Sequence, residues 1–153
     1  LRTDQGLTAV RGAITVESNQ AEAIGAAARR LAGEVLKRNR LRTDDVVTAI
    51  FSATPDLDAA YPAAALRGRG EGWDDVPMMC LAEMAVPGSL PRCLRLLLIC
   101  RGGFRARPVY IGEAARLRPD LAGADPGAEG QALEGETGEG GTVDDRRDET
   151  GMR

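Results

Sequence analysis

Histidine is missing from all 153 residues of this chain. Its absence removes the usual general base near neutral pH and the commonest metal ligand. Ser-His-Asp and Cys-His mechanisms are thereby excluded, and a zinc site is disfavoured. Aromatic residues make up 3% of the chain, and a single lysine, Lys37, stands against nineteen arginines. No apolar run approaches the ~20 residues that a membrane-spanning helix needs. The three cysteines, Cys80, Cys93 and Cys100, form no C-x-x-C pair. An odd count with no legible secretory signal predicts reduced thiols and a cytoplasmic setting.

What is present is one domain's worth of core, with 43% hydrophobic residues. Charge is uneven. From residue 122 onward there are nine acidic and three basic residues, a net of −6, so the rest of the chain carries +3 of the total −3. The acidic isoelectric point therefore describes a tail, and the body is mildly basic. Such a body suits small anionic ligands. It does not suit nucleic acid, because the arginines form no dense stripe and few aromatics accompany them.

Apolar periodicity predicts an order of strand, helix, strand, short helix and three further strands. Residues 1–8 read as a loose leader, and 9–13 as the first strand. Asn19 with Glu22 has the spacing of a capping box opening a helix over 20–39. Strands follow over 46–53, 76–84, 92–101 and 109–115, with a proline-initiated short helix over 62–67. Beyond residue 121, the Gly-, Glu- and Asp-rich sequence holds too little apolar surface to offset its ordering entropy, which predicts a disordered tail over 122–153. The domain is thus expected to span 9–121.

Six polar residues sit in apolar or sharply turned surroundings: Arg11, Arg67, Glu83, Arg95, Tyr110 and Arg118. Four are arginines, whose planar forks bind carboxylates bidentately. Arg95 is flanked by Leu94 and Leu96, and Glu83 lies in the run around Met84. A charge removed from water needs a partner or a ligand. Either Glu83 and Arg95 neutralise each other, or they face a pocket and hold something polar. The set suits a ligand with two carboxylates and a further oxygen.

Several separated motifs resemble the small monofunctional chorismate mutases of the AroH class. They are Val10-Arg11-Gly12-Ala13-Ile14-Thr15-Val16-Glu17, then Ser52-Ala53-Thr54-Pro55-Asp56-Leu57 with Tyr61-Pro62-Ala63 and Arg67. Gly72-Trp73, Val76-Pro77, Cys80, Glu83-Met84, Cys93 and Arg95 follow, and Tyr110 with Leu117-Arg118-Pro119-Asp120 closes the series. The resemblance implies an α+β fold, a mixed β-sheet packed on helices, assembled as a trimeric pseudo-α/β-barrel with active sites between subunits. It implies rearrangement of chorismate to prephenate, with no cofactor and no metal. By the same resemblance, Arg95 serves the breaking ether oxygen and a carboxylate, and Arg11 binds a carboxylate. Glu83 and the backbone or thiol of Cys80 meet the ring hydroxyl, and Tyr110 lines the pocket. Tyr61, Ala63 and Arg67 would come from the adjacent subunit, Met79 and Leu117 would form walls, and Arg118 would stand at the entrance. Tyr61, Ala64 and Met79 depart from the family's commoner residues. The alternatives are a trimer resembling the enamine/imine deaminases, or a metabolite sensor that binds without catalysis.

Overall fold

A computed structural model of the chain describes residues 2–122. The tail expected from 122 lies outside the described residues but for its first one. Strand β1 (Thr3–Thr15) leads to helix α1 (Ala21–Arg38), and then β2 (Val46–Ala53), β3 (Met78–Ala82), β4 (Cys93–Gly103) and β5 (Val109–Ile111), with α2 (Pro119–Ala122) last. Short 3-10 segments occupy Thr43–Asp45, Pro62–Leu66 and Gly112–Leu117. The five strands form one mixed sheet in the order β3-β2-β4-β1-β5. β4 runs antiparallel to both neighbours, while β3 on β2 and β5 on β1 are parallel.

Alternation along the strands gives the sheet two unlike faces. One face carries Val10, Ile14, Phe51, Leu94, Leu96, Leu98 and Cys100, all buried. It packs against Ile24, Ala28, Leu31, Ala32 and Val35 of α1. Burying each large side chain contributes about 1.5–3 kcal/mol, against about 0–1 kcal/mol for an exposed ion pair such as Arg42–Asp44. The filled face therefore sets stability. The opposite face lacks a helix layer over most of its area, and leaves Met79, Leu81 and Leu97 exposed. At one end of that face the Gly112–Leu117 segment folds over, so that Ala114 and Leu117 pack with Ala13, Cys93 and Tyr110.

Three expectations need correction. The loose leader is strand from Thr3: Leu7 and Thr8 pair with Arg101 and Cys100. Arg2 ion-pairs with Asp45 at 2.5 Å. The Asn19 capping box does not form. Gln20 is the N-cap, without a side-chain bond. Asn19 instead accepts the backbone N–H groups of Asp58 and Ala59, both at 3.0 Å, and donates to Asp58 Oδ1 at 2.6 Å. The last strand ends at Ile111 rather than 115. Gly112 takes φ +65°, a left-handed turn, and the Glu113 N–H bonds to the Thr15 hydroxyl at 3.0 Å.

Two local devices fix the geometry of β1 and β4. At Gly12 the sheet and α1 touch: a Cβ there would lie 2.9 Å from Leu31 Cδ1 and 3.2 Å from the Val109 carbonyl. At the start of β4, the backbone N–H of Cys93 donates to the Thr54 hydroxyl at 2.9 Å, and the Thr54 N–H donates to the Cys93 carbonyl at 3.0 Å. The Thr54 hydroxyl donates in turn to Asp56 Oδ1 at 2.5 Å, and Asp56 Oδ2 accepts the Arg92 N–H at 2.8 Å. Arg92 itself has φ +48°. Partial burial pushes the Asp56 carboxyl up, but the Thr54 and Arg92 hydrogen bonds outweigh it and hold the group below the usual carboxylate range.

Gly12→Ala is expected to lower unfolding free energy by about 1–3 kcal/mol, because the methyl must displace Leu31 or backbone. An unchanged urea midpoint would contradict that contact. Because its pKa is depressed on folding, Asp56 contributes stability that is whole above its unfolded value of about 4 and lost as pH falls through the folded value. The midpoint gap between the parent protein and Asp56→Asn should therefore be present at neutral pH and narrow below about pH 4; a gap independent of pH would remove the assigned role.

Candidate active site

The bare face of the sheet is where the polar residues converge. Across the five strands, ladder partners place Tyr110 (β5) beside Ala13 (β1), Ala13 beside Arg95 (β4), Arg95 beside Ser52 (β2), and Ser52 beside Leu81 (β3). The next row of the same face holds Arg11, Leu97, Ile50 and Met79. Members of these two rows, with Leu117 and Arg118, line a cavity of about 420 Å³. The size suits a small organic anion.

Arg95 is the centre of the row. Its Nε lies 3.3 Å from Glu83 Oε1, with the guanidinium side chain 46% exposed and the glutamate 23% exposed. Glu83 follows the end of β3, and its N–H bonds to the Ala53 carbonyl at 2.9 Å. The Ser52 hydroxyl donates to the same Glu83 oxygen at 2.5 Å. The first sequence alternative for Glu83 and Arg95 thus holds, since they pair, and the paired guanidinium also borders the cavity. Arg11 has no ion pair among the described residues. Arg118 has one, a double hydrogen bond to Asp120 at 2.9 and 2.7 Å, which holds the Asp120 carboxyl low.

Of the expected site residues, Arg11, Arg95, Tyr110, Leu117 and Arg118 meet in this cavity, with Glu83 joined through Arg95. The remainder lie elsewhere in the chain. Cys80 pairs with Phe51 on the filled-face parity of the sheet, and it lines, with Tyr61, a separate recess of about 500 Å³. Ala63 is buried in the core, and Arg67 is the exposed C-cap of the Pro62–Leu66 segment. Met79 is 59% exposed on the bare face. Leu81 borders both recesses, so they flank the edge strand β3.

Ser52 was not singled out by sequence reasoning, although its parity with Ile50 on β2 and its place in the Ser52–Leu57 motif were readable. Two of the thiols, Cys93 and Cys100, offer no ready nucleophile. Burial pushes Cys93 up despite the nearby Arg95, and burial with Asp45 pushes Cys100 up to about 11. Among the described residues, no group of three or more Cys, Asp or Glu side chains is placed to hold a metal ion. Among them, too, no helix is long and apolar enough to cross a membrane.

Comparison with known proteins shows the family. The family model described as chorismate mutase type I matches residues 7–121. The chain is 43% identical over 119 residues to the chorismate mutase AroH of Thermus thermophilus, covering 75% of this chain and 96% of that protein. It is 38% identical over 116 residues to the chorismate mutase AroH of Bacillus subtilis, covering 74% and 91% respectively. A solved chorismate mutase from Clostridium thermocellum superposes with a TM-score of 0.67 at 38% identity, covering 71% of this chain and 98% of that one. With a family match over residues 7–121, the chain belongs to the type I chorismate mutases.

Proposed function

We propose that this protein converts chorismate to prephenate, in aromatic amino acid biosynthesis, within the cavity centred on Arg95. The observation that carries the reading is the Arg95 guanidinium, held by Glu83 at 3.3 Å and bordering a cavity it shares with Arg11, Tyr110 and Arg118. The rearrangement is intramolecular: one C–O bond breaks and one C–C bond forms, with no net proton transfer to the enzyme. A chain without histidine is therefore not handicapped. Two tasks remain for the protein. The flexible dianion must be held folded over its ring, and the negative charge growing on the ether oxygen must meet a preorganised donor.

Arg95 supplies that donor and also reaches a carboxylate. Arg11 takes a carboxylate, with Tyr110 at its side and Arg118 at the entrance. Glu83 accepts from the ring hydroxyl. Leu117 and Leu81 give apolar walls that keep the local dielectric low.

The cavity is open on the bare face, and Tyr61, Ala63, Arg67, Cys80 and Met79 lie outside it in the same chain. A neighbouring subunit in a homotrimer would bring such a second lining against the first. The exposed apolar residues Met79, Leu81 and Leu97 fit that burial. The three free thiols suit a cytoplasmic setting.

Arg95→Lys keeps the charge but loses the fork. Its chorismate turnover should fall about 100- to 1,000-fold, the scale seen when a donor to a developing oxyanion is removed, while its melting temperature stays close to that of the parent. Near-parent turnover, or binding of chorismate without prephenate formation by the parent protein, would overturn the reading. Sedimentation should give a mass of three chains, and activity per chain should drop on dilution below the assembly range; a fully active monomer would reject the shared site.

A further inference from the structure

We propose that Ser52 is a positioning residue for this reaction: its hydroxyl fixes Glu83, and through Glu83 the plane of the Arg95 guanidinium. The inference rests on the reading of Arg95 and Glu83 given above and goes beyond it to a side chain that need not touch the substrate.

The geometry is a relay. Ser52 sits in β2, between β3 and β4, and is the ladder partner of Arg95. Its backbone is therefore held on both sides, and a serine side chain has a single heavy-atom torsion to set. Its Oγ donates to Glu83 Oε1 at 2.5 Å, a contact in half-buried surroundings. A hydroxyl donating to an ionised carboxylate makes a short, strong bond. The same Oε1 faces Arg95 Nε at 3.3 Å.

Alone, an arginine–glutamate pair as exposed as this one holds its two long side chains weakly, because side-chain entropy and solvent oppose it. Ser52 removes much of that freedom from the glutamate end. Among the described residues, Glu83 Oε2 accepts no hydrogen bond, and the Arg95 terminal nitrogens make none to an oxygen. The relay thus uses one oxygen and one nitrogen for alignment; apart from the Cys93 thiol that lies against Arg95, the remaining polar atoms are left for the ligand. Because the Ser52 donor is already engaged by Glu83, its loss should disturb alignment at the transition state more than ground-state binding.

The test is steady-state chorismate kinetics on the full chain with Ser52→Ala, Ser52→Thr, Glu83→Gln and the Ser52→Ala/Glu83→Gln double variant, with melting temperatures alongside. Ser52→Ala should lower kcat by about 10- to 100-fold, as expected for losing a hydrogen bond to a charged group, with KM within about threefold. Ser52→Thr, which keeps the hydroxyl, should recover most of that loss. In the Glu83→Gln background, Ser52→Ala should cost about twofold or less, since the two act as one unit.

A parent-like kcat in Ser52→Ala beside a crippled Glu83→Gln overturns the assignment and leaves the site reading standing. Fully multiplicative penalties in the double variant also overturn it. A parent-like kcat in Glu83→Gln overturns both. Should Ser52→Ala not fold, Ser52→Cys keeps the shape with a weaker donor, and parent-like turnover there is the overturning result.

Discussion

The register of β4 between its two neighbours is the constraint from which the site follows. Strand side chains alternate with a period of two, so a slip of one residue would carry Arg95 into the filled face and Leu94 or Leu96 out of it. Burying an unpaired guanidinium among Leu31, Phe51 and Val35 would cost far more than any ladder bond could return. The hydrophobic pattern of β4 therefore selects one register, and that register aligns Tyr110, Ala13, Arg95, Ser52 and Leu81 across the sheet. The reciprocal bonds between Thr54 and Cys93 fasten the end of the strand two residues before Arg95. Ala13 matters by being small: it leaves room between Arg95 and Tyr110 and lies beneath the segment that carries Leu117.

The electrostatics of the cavity depend on an uneven distribution of partners. Arg95 and Arg118 each meet a carboxylate of their own chain, Glu83 and Asp120, whereas Arg11 has no ion pair among the described residues. Two of the three guanidinia are thus oriented by a carboxylate of their own chain, and the third has no such partner among the described residues. At partial exposure none of these pairs contributes much to stability. Their effect is geometric, and geometry is what a reaction without proton transfer needs from its host.

Much of this was legible in the residues. The helix was readable from Ile24, Ala28, Leu31 and Val35, and the two central strands from their β-branched and leucine-rich runs. The set Arg11, Arg67, Glu83, Arg95, Tyr110 and Arg118 suggested a ligand with two carboxylates, and the structure gathers all but Arg67 at or beside one cavity. Tertiary contacts decided the rest. Asn19 had the right spacing for a cap, but the Asp58 and Ala59 amides offered it better-placed donors. Residues 3–8 lack a strong apolar pattern, yet they extend β1 because β4 continues to Gly103 and Arg2 reaches Asp45. Parity held a further signal. Glu83 shares its parity with Met79 and Leu81, while Cys80 differs from it by three positions, which on an extended chain places the two side chains on opposite faces.

Gly12 joins these layers at the point of least tolerance. Lying between Arg11, which borders the cavity, and Ala13, which shares a rung with Arg95, it lets the helix rest directly on the backbone of β1. Most of the filled face can drift through hydrophobic residues of matching volume without the opposite side registering the change. A side chain at residue 12 has no such latitude: it would lever helix and strand apart and tilt the adjacent arginine with them. Mutational robustness in this small sheet is therefore anisotropic, generous across the helix layer and narrow along the single seam where scaffold and chemistry share a backbone.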